Sequence, residues 1–255
     1  MATKRKKYTF RKGMVIEVEE YHDGRYGAPG VPRQKRKKPT KEQMIQINLQ
    51  NKAKRARRKM LAYLNTGDYF ATWTYGTKER PPDMKTALRD FEKAIRRVRM
   101  EYKKQGCELF WFRNIEKGTR GAWHIHLVVN KIPETVSILE SAWEHGGTYA
   151  VAIKKSKHYD EDFTKLANYM TKNENTLTFR KDGTRERSRI QEASYWTSKN
   201  MPVPEPKTDK LVRWKEEVKP KKGYYIVKDS FYEGINPYTG YKYRRYTMIR
   251  LHRRI

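Results

Sequence analysis

Residues 108–129 read ELFWFRNIEKGTRGAWHIHLVV and contain two runs rich in aromatic and β-branched residues. Such runs favour β-strands, which we predict over residues 108–116 and 122–129. The connection between them, residues 117–121, is short and contains two glycines. A connection of this kind is typical of an antiparallel hairpin. This hairpin is the central element of the predicted fold.

Strands and helices alternate on both sides of the hairpin. Residues 69–75 (YFATWTY) predict a strand, and Asp83 is a candidate N-cap for the helix that follows. Its apolar stripe keeps a 4-3-4-3-4 spacing through Met84, Leu88, Phe91, Ile95, Val98 and Tyr102. Further elements are predicted as a helix over 133–144, a strand over 148–153 and a helix over 161–172. The order β-α-β-β-α-β with a further helix predicts an α+β, ferredoxin-like or RRM-like fold, with an antiparallel sheet and helices on one face.

The flanking segments differ from this central pattern. Residues 1–64 are predicted to be a basic N-terminal extension, irregular to residue 39 except for a short hairpin around 14–19. Thr40 and Gln43 resemble a capping box and predict a helix from about 40 to 64. Residues 65–175 form the predicted central domain. Residues 176–255 are predicted to be a C-terminal extension with a β-hairpin, in which Gly234 to Gly240 mark the turn between residues 224–227 and 241–251.

The charge of the chain points to a polyanionic partner. Its 255 residues include 58 Lys and Arg against 29 Asp and Glu, a net charge of +29. Nucleic acid is the favoured partner because Lys and Arg gain affinity for phosphates by releasing condensed counterions. A basic surface tail is the alternative explanation. The 18 tyrosines and 6 tryptophans also suit a protein that stacks bases on aromatic rings.

Other features indicate the compartment in which the chain works. No apolar run approaches the roughly 20 residues that span a bilayer, and no signal peptide follows the basic N-terminus. We therefore expect no membrane partner. The single cysteine, Cys107, excludes an intramolecular disulfide and is compatible with a reducing cytoplasm.

Two histidines in the hairpin form a candidate metal site. Side chains two apart in a strand share a face, so His124 and His126 point away from the apolar residues between and beside them. If the hairpin is centred near Arg120, residues whose numbers sum to 240 oppose one another. Glu116 then lies across from His124, with the Cβ atoms about 5 Å apart. Two imidazoles and a carboxylate could hold a divalent metal and leave positions for a phosphate oxygen and water. The alternative is a pair of half-exposed strand histidines.

A tyrosine on the last predicted helix is the candidate nucleophile. Tyr169 and Lys172 are three residues apart and therefore project from the same side of that helix. A tyrosine hydroxyl, with a free pKa of about 10, needs nearby positive charge to act as a nucleophile, and Lys172 can supply it. The alternative is a boundary tyrosine beside a solvated lysine.

Several of these stretches resemble the motifs of the HUH endonucleases. WHIHLVVN (residues 123–130) is similar to their histidine-hydrophobic-histidine motif, and ANYMTK (167–172) is similar to their tyrosine motif. YFATWTY resembles the first motif strand of rolling-circle replication initiators. Glu116 falls where viral and plasmid initiators carry their third metal ligand. SYWTSKNMP (194–202) is similar to a Ser-x-Asn-x-x-Pro stretch of bacterial and phage members.

This resemblance implies an HUH nuclease fold for residues 65–175 and a reaction for the chain. Tyr169 would attack a scissile phosphate in single-stranded DNA, forming a 5′-phosphotyrosine and a free 3′-OH that primes synthesis. His124, His126 and Glu116 would hold Mg²⁺ or Mn²⁺, and Lys172 would position the metal site or the phosphate. Lys165 stands where two-tyrosine members often place the other tyrosine, so the chain resembles the single-tyrosine class.

The resemblance also implies a role and partners. The chain would be a rolling-circle replication initiator of a bacterial plasmid, phage or integrated element, acting in the cytoplasm of its host on single-stranded origin DNA with a hairpin. A host helicase and polymerase would be needed, because no P-loop motif occurs in the sequence. Basic residues outside the site are predicted to bind nucleic acid, namely Lys35, Arg36, Lys37, Lys38, Lys54, Arg55, Arg58 and Arg120.

Two other functions fit the same sequence. A relaxase or a single-tyrosine transposase would use the same chemistry on a different element. A non-enzymatic nucleic-acid-binding protein with an RRM-like fold would share the β-α-β-β-α-β order but would not need two histidines and a glutamate.

Overall fold

The structure of the chain is a computed structural model, which describes residues 3–22, 38–154, 162–186, 188–211, 214–238 and 240–251. Its elements in chain order are β1 (Thr3–Phe10), β2 (Val15–His22), α1 (Lys41–Tyr63), β3 (Tyr69–Thr74), α2 (Met84–Lys104), β4 (Trp111–Gly118), β5 (Trp123–Val129), α3 (Thr135–Ala142), β6 (Thr148–Ala152), α4 (Thr164–Thr171), β7 (Thr178–Phe179), β8 (Arg185–Glu186), β9 (Ile190–Thr197), β10 (Lys207–Leu211), β11 (Tyr224–Ile226), β12 (Tyr232–Ile235) and β13 (Lys242–Arg250). None of the helices in the described part of the chain is long and apolar enough to cross a bilayer.

The chain divides into two compact units. The central unit comprises Ile45–Pro202, and the terminal unit combines Met1–Met44 with Val203–Ile255. This division differs from the three consecutive segments predicted from the sequence. The N-terminal and C-terminal segments are not separate extensions, because their strands belong to one sheet. The central unit extends beyond residues 65–175 on both sides, since it includes most of α1 and all of β9.

The central unit contains a five-stranded antiparallel sheet in the order β6-β3-β5-β4-β9. Its first four strands follow the predicted β-α-β-β-α-β order, with α2 after β3 and α3 after β5. The α+β class with an antiparallel sheet is confirmed. The structure adds β9 at the edge beside β4, a strand that the polar sequence IQEASYWT did not reveal.

The hairpin of β4 and β5 has the register predicted from its sequence. Glu116 pairs with His124, and Asn114 pairs with His126. On the other side of β5, Thr72 of β3 also pairs with His126. Side chains of residues paired in this way project from the same face of the sheet. The site face therefore carries a polar cluster drawn from three adjacent strands.

The opposite face of the sheet forms the main core. Trp73, Ile125 and Leu127 are fully buried there, together with Phe91 and Val98 of α2. α2 begins as predicted, because the Asp83 carboxylate accepts a hydrogen bond from the Thr86 backbone N–H at 2.7 Å. Each fully buried large apolar side chain of this kind stabilises the fold by about 1.5–3 kcal/mol. This core fixes the sheet that carries the site.

The helices lie on both faces of the sheet, which corrects the prediction of one helical face. α2 and α3 supply the core described above, whereas α4 packs on the site face. There the Asn114 amide donates a hydrogen bond to the Lys172 carbonyl at 3.0 Å, just after α4 ends. The physical reason is that the apolar side of α4, with Leu166 and Met170 fully buried, needs its own covering surface.

α1 belongs mainly to the central unit, although it was predicted as part of an extension. Its capping box is confirmed, because the Gln43 N–H donates to Thr40 Oγ1 at 3.2 Å and the Thr40 N–H donates to Gln43 Oε1 at 2.9 Å. Towards its C-terminus, Met60 and Leu61 are fully buried. The basic helix is thus a structural part of the fold and not only a solvated arm.

The terminal unit contains a six-stranded antiparallel sheet in the order β10-β1-β2-β13-β11, and β12 also pairs with β13. The N-terminal hairpin is longer than the predicted one around residues 14–19, since β1 and β2 pair from Thr3 to His22. In the C-terminal part, the predicted pairing of β11 with β13 is confirmed. Gly234 lies in β12 and not in the predicted turn, which begins at Asn236.

Candidate active site

Three polar side chains from the β4–β5 hairpin meet on the site face. His126 Nε2 lies 3.0 Å from Glu116 Oε1, and the His124 ring stacks parallel to the His126 ring with centroids 6.1 Å apart. Both contacts follow from the strand pairing, which aligns Glu116 with His124 and leaves His126 two residues further along the same face. The three residues predicted from the sequence are thus brought together by local structure alone.

Residues of β3 hold the His126 ring in place. The Thr72 hydroxyl lies 3.1 Å from His126 Nδ1, and the Phe70 ring stacks against the imidazole with centroids 5.8 Å apart. When Nδ1 donates its proton to the Thr72 oxygen, Nε2 carries the lone pair that a metal or a proton can take. His126 is only 6% exposed, so this support fixes both the orientation and the tautomer of a buried ring.

Tyr169 reaches this cluster from α4. Its hydroxyl lies 3.2 Å from His126 Nε2, and its ring meets the rings of His126 and Phe70 edge to face, at 5.1 and 5.7 Å between centroids. The side chain nevertheless stays 39% exposed. A hydroxyl that is both oriented by a buried histidine and open to solvent can be reached by a large substrate.

Lys172 completes the arrangement at the end of α4. Its Nζ lies 3.1 Å from Glu116 Oε2 and 4.0 Å from the centre of the Tyr169 ring. The three-residue spacing predicted that Tyr169 and Lys172 project together, and this is confirmed. The ammonium group therefore places a positive charge beside both the tyrosine and the carboxylate.

The charges of the cluster depend on burial and on these contacts. Burial opposes ionisation of Glu116, but the hydrogen bond with His126 and the charge of Lys172 outweigh it and lower the pKa of the carboxyl. Burial is also the main cause that lowers the pKa of His124, and the neighbouring His126 adds to it. Near neutral pH the site thus combines a carboxylate with a neutral His124 imidazole, the forms in which these groups bind metals.

Asn114 belongs to the site and was missed by the sequence reasoning. It is fully buried between the sheet and the end of α4, where its amide nitrogen donates to the Lys172 carbonyl. Its Oδ1 has no hydrogen-bond partner among the described residues. The predicted hairpin register could have identified it, because that register places residue 114 opposite His126.

The donor set of the hairpin fits a divalent cation by its chemistry. Two imidazoles and one carboxylate are suitable ligands, and Glu116 Oε2 is buried without a hydrogen bond of good geometry. As the side chains stand, however, no three His, Cys, Asp or Glu residues within the described ranges are arranged as a ready metal site. The direct bond between Glu116 and His126 would have to open for both groups to bind the same ion.

The predicted nucleic-acid-binding residues are scattered. Arg120 is exposed at the tip of the β4–β5 hairpin, and Lys38 is exposed just before α1. On α1, Arg55 is exposed, whereas Lys54 and Arg58 are half-buried. Lys35, Arg36 and Lys37 lie outside the described residues. Contact of these side chains with nucleic acid stays a prediction.

The stretch SYWTSKNMP has a structural place at the sheet edge. Its first residues belong to β9, and Ser198 then continues the pairing with β4, because its N–H donates to the Trp111 carbonyl and its hydroxyl accepts from the Trp111 N–H. Asn200 donates through its side chain to the Leu109 carbonyl at 3.3 Å. These two polar residues fasten the edge strand to the start of β4.

Comparison with known proteins gives one match. Residues 68–174 match the family model of the replication-associated proteins that is named for ORF2 and the gene 2 protein. No curated protein and no solved structure matches the chain. The matched segment contains β3 to α4, and with them all five residues of the candidate site. The central part of the chain is therefore similar to these replication-associated proteins, which supports a replication initiator family.

Proposed function

We propose that the protein starts rolling-circle replication by nicking and rejoining single-stranded DNA. The family match supports a replication initiator with a nuclease role. The observation that carries the finer proposal is the position of the Tyr169 hydroxyl, 3.2 Å from His126 within the cluster of Glu116, His124 and Lys172. A solvent-accessible nucleophile beside a carboxylate, imidazoles and an ammonium group is the arrangement that phosphoryl transfer requires.

The proposed reaction is a transesterification at one phosphate. The Tyr169 oxygen attacks phosphorus, the new oxygen–phosphorus bond forms, and the bond from phosphorus to the 3′ oxygen breaks. The phenolic proton is released, and the departing 3′ oxygen takes up a proton to become the 3′-OH primer. The 5′ end stays attached as a phosphotyrosine. Rejoining is the reverse step and needs no ATP, because the phosphodiester is conserved in the enzyme-bound intermediate.

His124, His126 and Glu116 would hold Mg²⁺ or Mn²⁺. Such an ion, when bound, would polarise the scissile phosphate and make it easier to attack. The protein's own contribution is to orient the ligands, since Thr72 fixes one nitrogen of His126 and leaves the other directed into the cluster. The lowered pKa of Glu116 keeps its carboxyl in the charged form that binds cations.

Lys172 would act on the substrate side of the site. Its ammonium lies over the Tyr169 ring and against Glu116, so it faces the position where an attacked phosphate would develop negative charge. The same charge favours the tyrosinate form of the nucleophile by attraction. A neutral residue at position 172 would lose both effects.

The proposal describes a single-tyrosine enzyme. α4 contains one tyrosine, and Lys165 occupies the position one turn before it. A second strand transfer at the end of replication would then need a second subunit or a water molecule. The partners would be single-stranded origin DNA with a hairpin and a host helicase and polymerase, in the cytoplasm of a bacterial host.

The decisive experiment detects the covalent intermediate. The full chain is incubated with labelled single-stranded DNA and Mn²⁺, and adducts that resist denaturation are separated by gel electrophoresis. We expect an adduct with the unmodified chain and none with Tyr169→Phe. Tyr149→Phe is the matched control, because Tyr149 is an exposed tyrosine of β6 on the same face of the sheet.

Each outcome has a definite meaning. An adduct that persists in Tyr169→Phe would show that another residue is the nucleophile. Adduct formation that is unaffected by EDTA would exclude the metal. A chain that binds DNA in a salt-dependent manner but never forms an adduct would be a non-enzymatic nucleic-acid-binding protein, and the proposal would then be wrong.

A further inference from the structure

The sheet of the terminal unit has two different faces. On one face, Ile16, Val18, Tyr246 and Met248 form a buried cluster, which is covered by side chains that include Val218. Because side chains alternate along each strand, the neighbouring residues in sequence project from the other face. At one end of the sheet, that other face carries tyrosines and basic residues.

Strand pairing arranges these residues in two parallel rows. The first row crosses four strands and consists of Lys210, Lys4, Tyr21 and Tyr243, each paired with the next. It spans about 15 Å, given strands about 4.8 Å apart. The second row, two residues further along each strand, consists of Thr208, Lys6, Glu19, Arg245 and Tyr232. We call these nine residues the tyrosine–lysine face.

The aromatic rings of this face are accessible and are accompanied by cations. Tyr232 is 60% exposed and Tyr243 is 37% exposed. Lys6 Nζ lies 5.6 Å from the centre of the Tyr21 ring, and Arg245 lies 5.9 Å from that of Tyr232. Four basic residues stand against one acidic residue, Glu19, so the face carries net positive charge.

We propose that the tyrosine–lysine face is a second binding site, which takes single-stranded DNA. Exposed rings on a sheet stack with unpaired bases, and neighbouring Lys and Arg side chains neutralise the phosphates of the same strand. Paired bases in a duplex do not offer their faces to such rings, so a duplex should bind the face more weakly. The choice of DNA over RNA rests on the proposed function, whereas the geometry of the face does not depend on it.

Binding to the face is tested with the full chain and a labelled oligothymidylate of about 30 nucleotides, in EDTA so that no cleavage occurs. Fluorescence anisotropy measures the affinity. We expect the double substitution Tyr232→Leu and Tyr243→Leu to weaken binding about tenfold or more, because it removes two stacking surfaces. The matched control is Tyr232→Phe with Tyr243→Phe, which keeps the rings and should change the affinity less than about twofold.

The basic residues allow a second matched comparison. Lys4 and Lys210 pair across β1 and β10 on the proposed face, whereas Lys7 and Lys207 pair across the same strands on the opposite face. Lys4→Ala with Lys210→Ala should weaken binding and lower the salt slope by about 1.4, at about 0.7 for each lost contact to a single strand. Lys7→Ala with Lys207→Ala should leave the slope unchanged.

Several results would overturn the inference. Equal affinity of the Leu pair and the unmodified chain would remove the stacking, and equal losses from the two Lys pairs would remove the face. If the Leu pair does not fold, as judged by circular dichroism, photocrosslinking of bromodeoxyuridine DNA to the unmodified chain decides, since it must map to Tyr21, Tyr232 or Tyr243. Tighter binding of a matched RNA or duplex would assign the face to that ligand instead. Absence of the Tyr169 adduct would disprove the proposed nicking while leaving these binding results intact.

Discussion

The Tyr169 hydroxyl lies 3.2 Å from Nε2 of His126, although α4 and β5 are separated by more than thirty residues of sequence. The same nitrogen lies 3.0 Å from Glu116. His126 is therefore the residue that connects the candidate nucleophile with the candidate metal ligands. Its removal should affect the chemistry without affecting the basic surface that attracts DNA.

We expect His126→Ala to abolish adduct formation and to leave the affinity for single-stranded DNA within about threefold, because phosphate contacts of Lys and Arg dominate nonspecific binding. Adduct yield and anisotropy measure the two effects separately. His145→Ala is the control, since His145 is a histidine of the same unit whose ring contacts Tyr75 and Trp143 instead. Undiminished adduct formation by His126→Ala would contradict the metal role.

Thr72 should tune the metal affinity through His126. Thr72→Val keeps the shape of the side chain but removes the oxygen that lies 3.1 Å from His126 Nδ1. Loss of such a supporting contact typically weakens metal binding by about 10- to 100-fold. We therefore expect the Mn²⁺ concentration for half-maximal adduct formation to rise by about that factor, with the maximal yield recovered at high Mn²⁺.

The control for this measurement is Thr74→Val. Thr74 is the next residue on the same face of β3, and its hydroxyl bonds to the Gly147 carbonyl and not to a histidine. If both valine variants shift the Mn²⁺ requirement equally, the effect comes from the strand and not from the support of His126.

The Arg57–Asp162 pair should determine the stability of the central unit. The Arg57 guanidinium donates to the Asp162 carboxylate at 2.9 Å, and both side chains are almost fully buried. Asp162 also accepts a hydrogen bond from the backbone N–H of Thr164, the first residue of α4. Removing one partner of a buried pair leaves the other charge uncompensated, which typically costs about 3–5 kcal/mol.

We expect Arg57→Met to lower the denaturation midpoint of the central unit strongly, as followed by circular dichroism in urea. Arg55→Met is the matched control, because Arg55 is exposed on the same helix and should change stability by less than about 0.5 kcal/mol. Similar midpoints for the two variants would mean that the buried pair contributes little.

The sequence predicted the residues that are close together along the chain better than those that are far apart. The pairing of Glu116 with His124 could be derived from the hairpin alone, because strand alternation and a short connection determine the register. The pairing of Lys172 with Tyr169 likewise follows from helical spacing. Arg57 and Asp162, by contrast, are 105 residues apart, and no local pattern indicates that they meet.

The terminal unit illustrates the same limit. β1 reads TKRKKYTF, a strand too charged to be distinguished from a solvated tail by its composition. It becomes a strand because β2 on one side and β10 on the other supply hydrogen-bonding partners. β10 follows β1 by about two hundred residues, so the sheet depends on tertiary contacts that sequence periodicity does not report.

Gly146 should be irreplaceable because two backbone segments approach it closely. A Cβ atom at this position would lie 2.2 Å from the Thr74 carbonyl oxygen and 2.7 Å from the Gly76 nitrogen, and neither can move without disturbing β3. The neighbouring bonds from Thr74 N–H to the Gly147 carbonyl and from Gly76 N–H to the His145 carbonyl continue the pairing of β3 with the β6 side. Gly146→Ala must therefore break these bonds or displace the end of β3.

We expect Gly146→Ala to destabilise the central unit by about 1–3 kcal/mol or more, as for other substitutions that overfill a packed site. Urea denaturation followed by circular dichroism measures the change. Gly118→Ala in β4 is the control, since a Cβ there would meet its nearest neighbour, the Ala122 carbonyl oxygen, at an ordinary 3.6 Å. If Gly146→Ala proves as stable as Gly118→Ala, the close approach of the two backbones is relieved at little cost, and the loop before β6 is not what fixes the end of β3.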